Sequence, residues 1–169
     1  MSEKEKVYGS KIKHGGVFKF TDAYEYAYLW LIEEDFDVVE DQYTEKITGP
    51  ETRNLTIKWT AKKSFSDYFQ FELNIEFKLV AMSKTEITDP TGKKVSANKG
   101  TFEVIVKGNL IKDKKSRFDP DSGWDRWMQK IYEKWILPDR IEYLQEETMK
   151  LCDDFLAAMR SHFEMWARR

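Results

Sequence analysis

The sequence predicts an α+β fold: a curved antiparallel β-sheet wrapped around a long C-terminal helix. One helix follows the first strand and a Trp-rich helix precedes the last. Three observations predict this. From Phe69 to Leu79 every odd position is apolar and every even position polar, the period of two that only a strand produces. That run, extended to Ala81, spans ~43 Å at about 3.3 Å per residue. The tail from Asp139 to Trp166 carries apolar residues at helical spacing, and about 29 residues at 1.5 Å each also give ~43 Å. Finally, Asp89-Pro90-Thr91-Gly92 is a strong turn signal between two strand-like runs. Long strands joined by short turns make an antiparallel sheet with one covered face.

At the front, Gly15-Gly16 marks a turn and Val17 to Phe20 reads as a short strand. Thr21 is the expected N-cap of a helix from about Asp22 to Glu34, with Asp22 and Glu25 suited to its positive end. This helix is apolar nearly all round, which implies burial on two faces or contact with a partner. Five strand candidates follow: Phe36–Ile47, Asn54–Lys63, Phe69–Ile87, a brief one at Lys94–Ala97, and Gly100–Asp113. In the first, Val39, Tyr43 and Ile47 share a face with Asp41 and Glu45. In the third, Val80 and Met82 interrupt the polar face and suggest a bulge. The sheet is expected to hold about five to seven strands.

Lys112 to Ser122 reads as a charged loop, with Ser122 and Asp125 resembling a capping box. Trp124, Trp127, Met128, Ile131, Tyr132, Trp135 and Ile136 then mark one face of an amphipathic helix that Pro138 ends or kinks. In the final helix Ile141, Leu144, Leu151, Phe155, Ala158 and Met165 form one stripe. Cys152, Leu156, Met159, Phe163 and Trp166 widen it.

The totals bound the rest. A chain of 169 residues with 34% charged and 15% aromatic residues fits a single domain around an aromatic interior. Residues 1–6 are expected to form a flexible N-terminus, and their charge excludes a signal peptide. No apolar run approaches the ~20 residues of a membrane span, so a cytoplasmic protein is expected. The net charge of −2 argues against a dedicated nucleic-acid binder, though it leaves room for local patches. The basic run Lys112, Lys114, Lys115, Arg117 is interleaved with Asp113, Asp119 and Asp121 and reads as a solvated loop. Cys152 is the only cysteine, so no intrachain disulfide forms.

Candidate chemistry is sparse. His14 and His162 lack any metal-ligand spacing, and no phosphate loop or nucleophile elbow occurs. His162 reads as a packed histidine, and is the best titratable candidate should a pocket surround it. Asp41 and Glu45 on one face could serve acid–base work; the commoner role of such acids is to guard an edge strand. Cys152, in apolar surroundings, reads as packing. Trp124, Trp127, Ile131 and Trp135 are typical of a core or of an interface anchor.

The order strand, helix, antiparallel run, terminal helix (Val17–Phe20, Asp22–Glu34, Asn54–Asp113, Asp139–Trp166) resembles the helix-grip arrangement of the START and lipid-transfer superfamily. That resemblance is one of element order, without a diagnostic motif. The family commonly has two short helices after its first strand where one is predicted here, and the Trp-rich helix is an addition. It implies a cavity for an apolar ligand between sheet and helix. The leading expectation is a non-enzymatic protein holding an apolar or aromatic small molecule, lined by Trp59, Phe71, Leu73, Phe102, Val104, Leu151, Phe155 and Met159, with no cofactor and no metal. An assembly subunit or homo-oligomer using the Trp124–Trp135 face is the alternative. An enzyme with His162 or Glu45 as base is the weaker third.

Overall fold

The computed structural model describes residues 3–66, 68–112, 123–131, 134 and 138–167. Five strands form one open antiparallel sheet: β1 (Glu3–Phe18), β2 (Asp37–Ile47), β3 (Arg53–Ser64), β4 (Phe69–Thr88) and β5 (Lys94–Lys112), in the order β1-β5-β4-β3-β2. The helices are α1 (Phe20–Glu33), α2 (Gly123–Ile131) and α3 (Pro138–Ala167).

Several boundaries move. Gly15 and Gly16 make no turn; they lie inside β1, paired with Thr101 and Gly100 of β5. Residues 3–6 belong to the same strand rather than to a loose terminus, and Lys4 Nζ meets Glu72 Oε1 at 2.9 Å. The brief strand at Lys94 and the longer one at Gly100 are a single strand. Helix α1 begins at Phe20 and its N-cap is Lys19, without a side-chain cap; Asn98 Oδ1 accepts the Phe20 N–H at 2.9 Å instead. The left-handed Asp35 (φ 65°) ends it, and the Phe36 N–H returns to the Leu31 carbonyl. Pro138 opens α3, where its missing N–H costs nothing. The predicted cap Ser122, the basic loop from residue 113 to 122, and Trp135 lie outside the described residues.

The predicted alternation holds in β4. Phe69, Phe71, Leu73, Ile75, Phe77 and Leu79 are all buried on the helix-covered face, with Leu55, Ile57, Trp59 and Ala61 of β3 and Phe102, Val104, Val106 and Leu110 of β5. The register also shifts in β1, between Lys6 and Tyr8, and bulges in β4 and β2 reverse the alternation beside the helix-covered face. Between Val80 and Ser83 the register of β4 slips, and Ala81 takes a left-handed φ of 52°. Between Glu40 and Gln42 the same happens in β2. Asp41 and Glu45 therefore end on opposite faces: Asp41 accepts from Thr60 on the outer face, whereas Glu45 stands opposite the inward Leu55.

Helix α3 lies over β5 and β1, not directly over β4. Its buried line runs Leu144, Thr148, Cys152, Phe155, Leu156, Met159, His162, Phe163 and Trp166. The helix is thus rotated from the predicted stripe, and Met165 is exposed. The reason is Gly108. A Cβ there would lie 2.7 Å from Cys152 Sγ and 3.0 Å from Thr148 Cγ2, so the helix backbone approaches β5 through the space a side chain would fill. Polar ties fix the same helix to the sheet edge, from Tyr8 to Asp153 and from Gln145 to Glu5. Helix α1 fills the remaining width. Tyr26 stacks on His162, Trp30 meets Phe155 edge-on, and Tyr24 and Tyr28 meet Trp59 in the same way. Its outer stripe of Tyr28, Leu29 and Ile32 stays exposed, so the helix is not buried all round.

Gly108→Ala is expected to lower stability by about 1–3 kcal/mol through overpacking. Cys152→Ala in the same chain should recover part of the loss by removing the Sγ atom. Urea unfolding of the three variants checks this; strictly additive losses would contradict the contact.

Candidate functional site

The eight residues expected to line a ligand space are brought together. Trp59, Phe71, Leu73, Phe102, Val104, Phe155 and Met159 belong to one continuous core cluster, with Leu151 packed against it. They interlock: Trp59 meets Phe77 edge-on at 4.8 Å, Phe77 meets Phe102 at 6.0 Å, and Phe102 contacts Phe163 at 4.9 Å. Phe71 and Leu151 also border a cleft of about 410 Å³ near the start of α3, with Lys63, Tyr143, Lys150 and Asp154 around it.

A different space opens where the strands run past the helices. Two clefts there, of about 460 Å³ and 230 Å³, share Arg53, Met82 and Lys84 and form one groove. The larger is walled by Ile47 at the end of β2 and by the β2–β3 connection (Gly49, Pro50, Glu51 and Thr52), and the smaller by Lys19, Phe20 and Thr21 at the start of α1. No residue of α3 lines either. Met82, 1% exposed, floors the groove, and Ile47, 78% exposed, presents an apolar wall. The β4 bulge creates this surface. An uninterrupted strand would carry Met82 and Lys84 to the outer face; the extra residue at Ala81 turns both toward the helix side. Apart from Glu45, the groove residues are not among those that the sequence marks as a site. Their signal in the sequence was the break in alternation at Val80-Ala81-Met82, with Gly100 opposite.

Charge in the groove is uneven. Arg53 donates to Glu45 Oε1 at 2.8 Å, so these two offset each other. Lys84 has no ion-pair partner among the described residues. Glu45, expected as a candidate base, is occupied by that arginine. His162 is buried against Tyr26 at 4.8 Å, and His14 stacks on Phe163 at 5.0 Å. Both histidines serve the aromatic core. Among the described residues no three His, Cys, Asp or Glu gather as a metal site, and no helix is long and apolar enough to cross a membrane. Of the predicted interface residues, Trp124 and Trp127 are 67% and 52% exposed and lie 5.2 Å apart, while Ile131 is partly buried.

Burial, and then the neighbouring Asp153, push the Cys152 thiol up to about 12. Burial and the Glu40 hydrogen bond likewise raise Tyr24 to about 12. Both groups stay neutral in the fold while their unfolded counterparts ionise. Their stabilisation is therefore complete below the ordinary pKa values of 9.0 and 10.0 and is lost as pH climbs toward 12. Stability should fall from pH 9 upward by at most about 1.4 kcal/mol per pH unit for the buried Cys152, and by much less for Tyr24, whose hydroxyl is screened by water. Urea midpoints at pH 8 to 11 test this, with Cys152→Ala flattening the first part of the decline.

No protein-family model, no curated protein and no solved structure matches this chain.

Proposed function

We propose that the chain is a non-enzymatic binding protein for a small apolar molecule, held on the helix-covered side of the sheet. The single observation behind this reading is the groove built on Met82. Its larger part, about 460 Å³, falls within the roughly 300–1,000 Å³ of small-molecule sites, and it combines an apolar floor with a few polar groups. The aromatic core beneath β5 and α3 is packed by its own side chains. The molecule therefore occupies the end of the sheet beyond α3. The resemblance in element order to the helix-grip superfamily agrees with a binding role and carries less weight than the groove.

Native mass spectrometry of the purified chain should show a copurifying adduct that is absent in Ile47→Asp, whose exposed position makes the change harmless to folding. Adducts of equal abundance in both chains would place the ligand elsewhere, and no adduct together with no binding of alkyl probes would end the proposal.

A second reading rests on Trp124 and Trp127. Two tryptophans exposed by more than half on one short amphipathic helix have the character of interface anchors, and a second copy is the partner tested first. Light scattering after size exclusion should then report an oligomer that Trp127→Ala converts to monomer. A monomer at every concentration would remove the self-association.

A further inference from the structure

We infer that the ligand of the groove carries an acid group, a carboxylate or phosphate, which binds Lys84 Nζ with its apolar body laid over Met82 and Ile47. This rests on reading the groove as a binding site and adds the chemical class of its occupant. The argument begins with backbone strain. Ala81 holds φ 52°, which costs an L-residue about 1–2 kcal/mol, and its N–H is taken by Asn54 Oδ1 at 2.9 Å. Opposite it Gly100 has φ 157°, and a Cβ there would lie 2.9 Å from the carbonyl oxygens of both Val80 and Ala81. The bulge thus depends on a strained residue, a side-chain cap from the next strand and a glycine in the strand opposite.

Such strain collects where a strand must re-aim a side chain for function. What this bulge re-aims is Lys84. The lysine lands on the covered side of the sheet, next after Met82 on that face, and no carboxylate of the described residues pairs with it. Across the strand pair, Arg53 stands opposite Met82 with one guanidinium nitrogen on Glu45. Lys19 lines the adjoining cleft, with Asp22 Oδ1 4.0 Å from its Nζ. The acids lining the groove, Glu45 and Glu51, sit on the β2–β3 side; Glu86 shares the face of Lys84 two residues on but lines neither cleft, so the charges lining the Lys84 end are Lys19 and Lys84. A cation left unpaired beside an apolar floor suits an amphiphile with an anionic head.

Calorimetry with decanoate, decanol and decylamine tests the acid separately from the groove. Decanoate should bind about tenfold or more tighter than decanol, as expected for a charge-assisted hydrogen bond, with decylamine weakest. In Lys84→Gln, confirmed folded by its melting temperature, the ratio of decanoate to decanol affinity should fall to about one. Equal affinities for decanoate and decanol in the unaltered chain overturn the acid while leaving the groove. A decanoate preference that survives Lys84→Gln overturns the role of that lysine. Binding of none of the three overturns the groove itself, and the acid with it.

Discussion

The close approach of α3 to β5 at Gly108 sets the arrangement of every other layer. Where a strand residue lacks a Cβ, a helix can settle with Cys152 and Thr148 against the strand backbone. That contact fixes α3 off centre, over β5 and β1, and turns its buried line onto Thr148, Cys152 and Met159. The half of the sheet left uncovered then needs a second element, and α1 supplies it. Its small residues Ala23 and Ala27 allow a close approach, while Tyr24, Tyr26, Tyr28 and Trp30 reach sideways to β3 and α3. Many rings of this interior meet edge-on, which adds to the burial of the aliphatic residues around them.

The bulges in β4 and β2 then decide which side chains of those strands face which environment. A strand's faces alternate strictly, so one extra residue transfers every later side chain to the other face. In β4 the transfer brings Met82 and Lys84 to the covered side beyond the reach of α3, and a groove results. In β2 the transfer separates Asp41 from Glu45, brings Tyr43 and Glu45 inward, and leaves Val39 outward. Strand β2 is also the sheet's edge, exposed over nearly its whole length. Its charges at Asp37, Glu40, Asp41 and Glu45 discourage pairing with another chain, the protection such an edge requires.

The candidate groove is therefore a by-product of two mismatches in length and phase. Strands β4 and β5 are 20 and 19 residues long and run past the helices packed on them. A sheet longer than its cover must expose its covered face at one end or close it with loops. Here the β2–β3 connection and the start of α1 close it partly, leaving a floor of one methionine between cationic groups.

Periodicity alone determined the strand β4, the alternation of β3 and β5, and the 30-residue helix α3, because side-chain patterning over a dozen residues admits only one local geometry. The break at Val80 and Met82 was legible for the same reason: an apolar residue on a polar face marks a phase shift. Other features needed the third dimension. Gly15-Gly16 looks like a turn until β5 pairs across it, and Thr21 looks like a cap until Asn98, distant in sequence, takes the Phe20 N–H. The faces of Asp41 and Glu45 depended on a bulge without an apolar marker. Which stripe of α3 turns inward was settled by a glycine on another strand. Local pattern specifies an element and its amphipathic character, but the rotation of a helix and the end at which a sheet stays uncovered follow from contacts between residues far apart in the chain.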